Sequence, residues 1–175
     1  MTLIIQKTEI SLNTFVIFLI NYWENKIKNS FNLVELGPGK GTLLKDILRT
    51  SSINQKFLNS MSITIIEKNK SLIDIQKKIM NSQKITWSKE FHITNKNIPS
   101  IIYSNEFFDC FPVQQFHKKE KWYEKYVNYN EVEQNFTIVS KQVENKKILK
   151  ILEKFDHVEV AEISHSRDEY FKSIC

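Results

Sequence analysis

Gly37, Gly39 and Gly41 are the only three glycines in 175 residues, and they follow the apolar stretch Phe31-Asn32-Leu33-Val34-Glu35-Leu36. Glycine is needed where the backbone takes positive φ or where a ligand must come close to the main chain. An apolar strand, an acid, a glycine turn and then a helix is how open α/β proteins build a nucleotide-type cofactor site. The spacing here is G-x-G-x-G, with Pro38 and Lys40 between the glycines. That differs from the G-x-G-x-x-G of dinucleotide sites, and Lys40 is followed by glycine rather than by the Ser or Thr of a Walker loop. A short turn that sets the backbone against a cofactor without a pyrophosphate fits better. Glu35, an anion at the end of its strand, suits a cationic amino group.

Two further groups of polar residues belong to the same chemistry. Glu67 ends the run Ser62-Ile63-Thr64-Ile65-Ile66. An acid there accepts hydrogen bonds from ribose hydroxyls in βαβ sites, although its distance from the glycines exceeds the usual value of about 20 residues. Taken alone, Glu67 is equally a solvated acid at a strand end. Asn105-Glu106-Phe107-Phe108-Asp109 follows another apolar run, Ile101-Ile102-Tyr103-Ser104. One amide, two carboxylates and two aromatics on one rim can bind a polar or cationic group. Away from a cofactor rim, the two phenylalanines are simply core and the acids surface.

These groups have to be carried by a sheet. The pattern predicts parallel strands at 32–36, 62–67, 85–87 and 101–104, alternating with helices, which is the signature of an α/β fold. The helix after the glycines carries Leu43, Leu44, Ile47 and Leu48 and ends near Arg49. Residues 50–60 read as a loop or a frayed helix end. The next helix, to about Met80, opens on a capping box of Ser71 and Asp74 and turns Leu72, Ile75 and Ile79 inward. An earlier amphipathic helix at 11–28 has Ser11 as its N-cap and Phe15, Phe18, Leu19, Tyr22 and Trp23 at helical spacing. Beyond residue 110 the pattern changes. Segments 113–116, 122–129 and 136–139 read as antiparallel strands of a hairpin insertion. A helix follows at 146–155, then a short strand at 158–160. A last helix opens on a second capping box, Ser166 with Glu169. The organisation is one domain: an N-terminal helix over 1–30, cofactor-binding βα units over 31–110, the insertion over 111–140 and a helical part over 141–175.

Composition excludes several functions. Hydrophobic residues make 41% and charged residues 26%, as in a globular domain. The net charge is +5, but only Arg49 and Arg167 among 25 basic residues are arginine. Nucleic-acid readers favour arginine for bidentate contacts, so the lysines read as a solvated surface and no nucleic-acid partner is expected. Cys110 and Cys175 give no disulfide framework, and with the scattered histidines they give no metal-ligand spacing. The apolar run from Phe15 to Ile20 is too short to span a bilayer, so no membrane partner is expected. The first residues show no cleavable signal pattern, and the expected location is the cytoplasm.

The stretch Glu35-Leu36-Gly37-Pro38-Gly39-Lys40-Gly41-Thr42-Leu43 resembles motif I of class I S-adenosylmethionine-dependent methyltransferases. More narrowly it is similar to the MidA-like family, which includes a mitochondrial complex I assembly protein-arginine methyltransferase. Asn105-Glu106-Phe107-Phe108-Asp109-Cys110-Phe111-Pro112, with the strand after it, resembles that family's second long signature. Trp122-Tyr123-Glu124-Lys125, Ala161-Glu162-Ile163-Ser164 and Thr8-Glu9-Ile10-Ser11 also resemble family segments. The resemblance implies a partial Rossmann-like methyltransferase sheet of about four parallel core strands, with an antiparallel hairpin insertion. It implies S-adenosylmethionine as cofactor, with Glu35, Gly37, Pro38, Gly39 and Gly41 around its methionine part and Glu67 on its ribose. Asn105, Glu106 and Asp109 would face a substrate, and that substrate would be protein arginine.

Against the family pattern the chain is short. Four strands would leave the 101–104 strand as a bare edge, open to unwanted pairing. His165 stands where the family often has proline. Two readings follow. In one, the chain is a methyltransferase completed by a second chain that carries the missing half. In the other, it is an inactive fragment of a split or decaying gene, serving at most as a protein-interaction module.

Overall fold

The computed structural model describes residues 1–7, 11–80, 85–93 and 95–174. Thr8, Glu9 and Ile10 of the first family-like segment, and Cys175, lie outside the described residues. The chain divides into two compact units, the first built on Met1–Cys110 and the second on Phe111–Lys172.

The first unit is a parallel five-stranded sheet with helices. Strand β1 (Thr2–Lys7) precedes helix α1 (Leu12–Tyr22). Ser11 caps α1 as expected, its side chain accepting from the Thr14 N–H at 3.3 Å. The helix runs on through a π-helical turn, Trp23–Ile27, which ends at Lys28 in the left-handed region, φ 63°. Strand β2 (Phe31–Leu36) leads into the glycines, and helix α2 (Thr42–Ser51) follows them. The stretch expected to be a loop holds a short helix, α3 (Gln55–Ser60), with Asn54 accepting from the Phe57 N–H at 3.0 Å. Phe57 makes it stable: its fully buried ring stacks on Phe31 and meets Trp23 edge-on. This extra helix is the physical reason for the long spacing between the glycines and Glu67.

Strand β3 (Met61–Ile66) is followed by helix α4 (Lys70–Ile79). The expected capping box is not the one that forms. Asn69 caps α4 instead, its Oδ1 accepting from the Ser71 and Leu72 N–H groups. The inward stripe is also shifted: Ile75 is exposed, while the polar Gln76 is completely buried. Strand β4 (Ile85–Ser88) and strand β5 (Ser100–Asn105) complete the sheet in the order β1-β5-β2-β3-β4. The sheet has five strands where about four were expected, β1 being the addition. β1 pairs with β5 along its whole length, Thr2↔Ser100 through Lys7↔Asn105, so β5 is not a bare edge. The Leu3-Ile4-Ile5 run is too short to declare a strand by pattern; the paired ladder makes it one.

The second unit is an antiparallel sheet. Strands β6 (Gln114–Lys118), β7 (Trp122–Asn130) and β8 (Asn135–Gln142) form the expected hairpins. Helix α5 (Lys146–Leu152) covers them, and strand β9 (Val160–Ile163) pairs with β6 to give the order β8-β7-β6-β9. Phe116, Trp122, Val143, Leu152, Ala161 and Ile163 form its core, with Ile148, Leu149 and Phe155 packed against them. Helix α6 (His165–Ile174) begins two residues earlier than a capping box on Ser166 and Glu169 allows. Ser164, not Ser166, supplies the cap: its Oγ accepts from the Arg167 N–H at 3.3 Å and donates to the Pro112 carbonyl at 2.7 Å.

Candidate active site

Strand order alone locates the site. β2, β3 and β4 step away in one direction, while β5 lies on the other side of β2. The chain reverses between β2 and β5, and ligands in open α/β sheets bind at the carboxyl ends of the strands at such a reversal. An open pocket of about 320 Å³ lies there, lined by Glu35, Gly37, Pro38, Gly39, Thr42, Leu43, Asn105 and Glu106. That volume is at the small end of the range for small-molecule sites, roughly 300–1,000 Å³.

The glycines explain themselves once their φ values are known: 57° at Gly37, 58° at Gly39 and 79° at Gly41. Each also has its own surroundings. A side chain at Gly37 would strike the ring of Phe107, and one at Gly41 would meet Met80 and Gln76. Gly39 has open space where a side chain would stand, so it is the glycine that presents bare backbone to a ligand. The Gly41 N–H closes the turn on the Pro38 carbonyl at 2.9 Å. Gly41 is then the N-cap of α2 and offers no side-chain acceptor, so the first turn of that helix keeps its positive end for a ligand.

Glu35 is the most perturbed acid. It is almost completely buried at the end of β2, and its Oε2 has no hydrogen-bond partner among the described residues. Burial pushes its carboxyl up to about 8 from the ordinary 4.5. Tyr103, its register neighbour on β5, opposes part of that rise. The geometry does not give Tyr103 Oη a full hydrogen bond, and burial drives this phenol well above its own usual value.

The other expected residues divide. Asn105 and Glu106 reach the pocket; Glu106 holds a left-handed backbone at φ 53°, a strained conformation for a residue with a side chain. Glu67 and Asp109 are not among the pocket-lining residues. Glu67 sits just past β3, where its Oε1 accepts from the Asn69 N–H at 2.9 Å. Asp109 lies in a 3-10 turn, Phe108–Cys110. Phe107 and Phe108 pack edge to face at 5.3 Å, and Phe108 is buried, so these aromatics shape the rim from beneath. Thr42 and Leu43 also line the pocket, beyond the residues expected there. Both follow directly from the glycine turn in the sequence.

A family model described as S-adenosyl-L-methionine-dependent methyltransferase matches residues 14–175. The chain belongs to this family. Among curated relatives, the mitochondrial protein arginine methyltransferase NDUFAF7 of Bos taurus is 33% identical over 126 residues, 58% of this chain and 29% of that protein. The Caenorhabditis elegans homolog is 34% identical over 122 residues, 58% of this chain and 28% of that protein. A solved Burkholderia thailandensis protein, bound to S-adenosyl-homocysteine, has a TM-score of 0.71 at 16% identity, over 94% of this chain and 43% of that one. At that identity the likeness shows the fold. The chain spans less than a third of the curated relatives it matches and under half of the solved structure.

The residues present fit the cofactor of S-adenosyl-L-methionine-dependent methyltransferases. Its amino-acid end carries an ammonium and a carboxylate. Glu35 offers a buried carboxylate with an unpartnered oxygen to the first. The uncapped α2 terminus offers N–H groups and a positive dipole end to the second. Gly39 leaves room for both.

Proposed function

We propose that these residues form the cofactor-binding part of a protein-arginine methyltransferase. The observation that carries the reading is the pocket at the β2–β5 reversal, where buried Glu35 and open Gly39 meet the uncapped start of α2. Arginine as the acceptor is supported by the names of the animal relatives.

When bound, the cofactor supplies an activated methyl group for direct displacement. The chain's own task is positioning, which is worth several kcal/mol when reacting atoms are aligned. Glu35 takes the ammonium, and the glycine turn with Thr42 and Leu43 holds the carboxylate end. Glu67 takes the ribose hydroxyls, one of its oxygens already turned to Asn69. Asn105 and Glu106 stand on the rim, with Asp109 beyond it. There the carboxylates orient the guanidinium and balance its charge. Neither serves as a simple base, because a guanidinium does not give up its proton readily.

The alternative, an inactive fragment serving as an interaction module, lacks an observation of its own. The short span against the relatives supports a narrower statement: turnover draws on residues those relatives hold outside the matched region, whether on the same polypeptide or on a complementing chain. A cytoplasmic location belongs to the same proposal, supported by the sparse cysteines; the animal relatives are named as mitochondrial.

Calorimetry with S-adenosyl-homocysteine on wild type and on Gly39→Arg tests the cofactor reading. Wild type is expected to bind. Gly39→Arg, which fills the open space and forces a side chain into φ 58°, is expected to lose binding. Folded wild-type protein that binds nothing would sink the reading.

A further inference from the structure

A polar side chain that is completely buried needs a reason, and Gln76 has two partners that supply one. Its Nε2 donates to the Gly39 carbonyl at 2.7 Å. Its Oε1 accepts from the Trp87 indole N–H at 3.0 Å. The orientation of the amide is unambiguous, because a carbonyl can only accept and an indole N–H can only donate. Gln76 therefore ties three separate elements together: α4, which carries it; the glycine turn between β2 and α2; and β4, which carries Trp87. Its aliphatic part does further work, since Cγ lies against the position a Gly41 side chain would take, beside Met80. The Trp87 ring is itself held, with Lys77 Nζ 5.5 Å from its centroid.

Nothing lies within 4 Å of the place a Gly39 Cβ would take, and Gly39 lines the pocket. A glycine has more backbone freedom than any other residue, and Gly39 has no side chain of its own to restrict it. The bond from Gln76 fixes it from behind. It turns the Gly39 carbonyl toward α4 and keeps that acceptor off the face where an anionic carboxylate is to be held.

We propose that Gln76 is a positioning residue for the cofactor: through Gly39 it presets the glycine turn, and through Trp87 it couples that turn to β4. The proposal rests on the cofactor reading above. It assigns a role to a residue that does not line the pocket.

The test uses the 175-residue chain with S-adenosyl-homocysteine as probe. Gln76→Leu keeps the volume and removes both bonds; it is expected to weaken binding about fivefold to tenfold, the worth of one hydrogen bond, with the fold checked by circular dichroism. Gln76→Glu gives the sharper signature. Protonated, the new side chain can both donate to Gly39 and accept from Trp87; ionised, it faces the Gly39 carbonyl with a negative charge. Its affinity relative to wild type at the same pH, a ratio that cancels the titration of Glu35, is expected to be near one at acid pH and to fall as pH rises, which a purely space-filling role would not produce. A third readout needs no substitution at Gln76. Of the three tryptophan indole N–H resonances, the one that Trp87→Phe removes is expected to shift when the probe binds wild type. If Gln76→Leu does not fold, the pH profile and the indole resonance decide. Probe binding by wild type, with Gln76→Leu or Gln76→Glu unchanged at every pH and the Trp87 resonance unmoved, would overturn the role of Gln76 alone. Folded wild type that binds no probe would overturn the cofactor reading and this inference with it.

Discussion

Glu35 holds an almost completely buried carboxyl group at the edge of the pocket, and the consequence is a dependence on pH. Its carboxyl is pushed up to about 8 by burial, so between 4.5 and 8 the folded chain keeps a proton that the unfolded chain has lost. Stability therefore falls as pH rises across that window and levels off above it. At roughly 1.4 kcal/mol per pH unit the loss amounts to several kcal/mol. Glu35→Gln removes the titrating group, and denaturant melts of the variant are expected to show no such decline. Binding has the opposite slope. An ammonium ligand favours the ionised form, so the affinity for S-adenosyl-homocysteine should tighten from pH 6 toward 8 with release of a proton. Calorimetry in buffers of different ionisation enthalpy would detect that proton. A flat binding profile would remove Glu35 from the ammonium.

At the scale of elements, β1 has more influence than its length suggests. It stands at the sheet edge paired with β5, and β5 carries both Tyr103, which faces Glu35, and Asn105 on the pocket rim. Leu3 and Ile5 also pack on the main core. Removing Thr2–Lys7 leaves β5 as an unpaired edge. Amide exchange of Ile101–Ser104 is then expected to accelerate well beyond that of β3, together with a lower melting temperature. Unchanged exchange in β5 would show that β1 adds nothing to the rim. Glycines, β2, α2 and the β5 rim were legible because each has a strong local signal: a glycine cluster, a buried run, an apolar stripe. The capping residues of α4 and α6 were assigned wrongly because several Ser and Asn side chains near each start could serve. The choice fell to the one whose side chain met the free N–H groups, Asn69 and Ser164.

For the whole molecule, binding and turnover separate. The cofactor pocket is complete enough in one unit to test alone, since all its lining residues belong to Met1–Cys110. The chain spans less than a third of the curated relatives, and on the proposed reading Asn105, Glu106 and Asp109 belong to the acceptor side. The 175-residue chain is therefore expected to bind S-adenosyl-homocysteine yet to transfer no methyl group to an arginine-containing protein. Radiolabelled methyl appearing in such a protein, with this chain as the sole enzyme, would refute that separation.

The sequence by itself determined the α/β class, the glycine turn and the acid before it, because these rest on local requirements of backbone conformation and strand burial. It also carried the family resemblance, which the family match over residues 14–175 bears out. The tertiary structure decided what depends on contacts between distant segments. It placed β1 beside β5, supplied a fifth strand, and buried Gln76 between Gly39 and Trp87. A glutamine on an amphipathic helix looks like surface until the partners for both ends of its amide, 37 residues before it and 11 after, are brought within hydrogen-bond reach. It likewise drew Asn105 and Glu106 to the glycines while leaving Glu67, just past β3, and Asp109, in the turn Phe108–Cys110, outside the pocket lining.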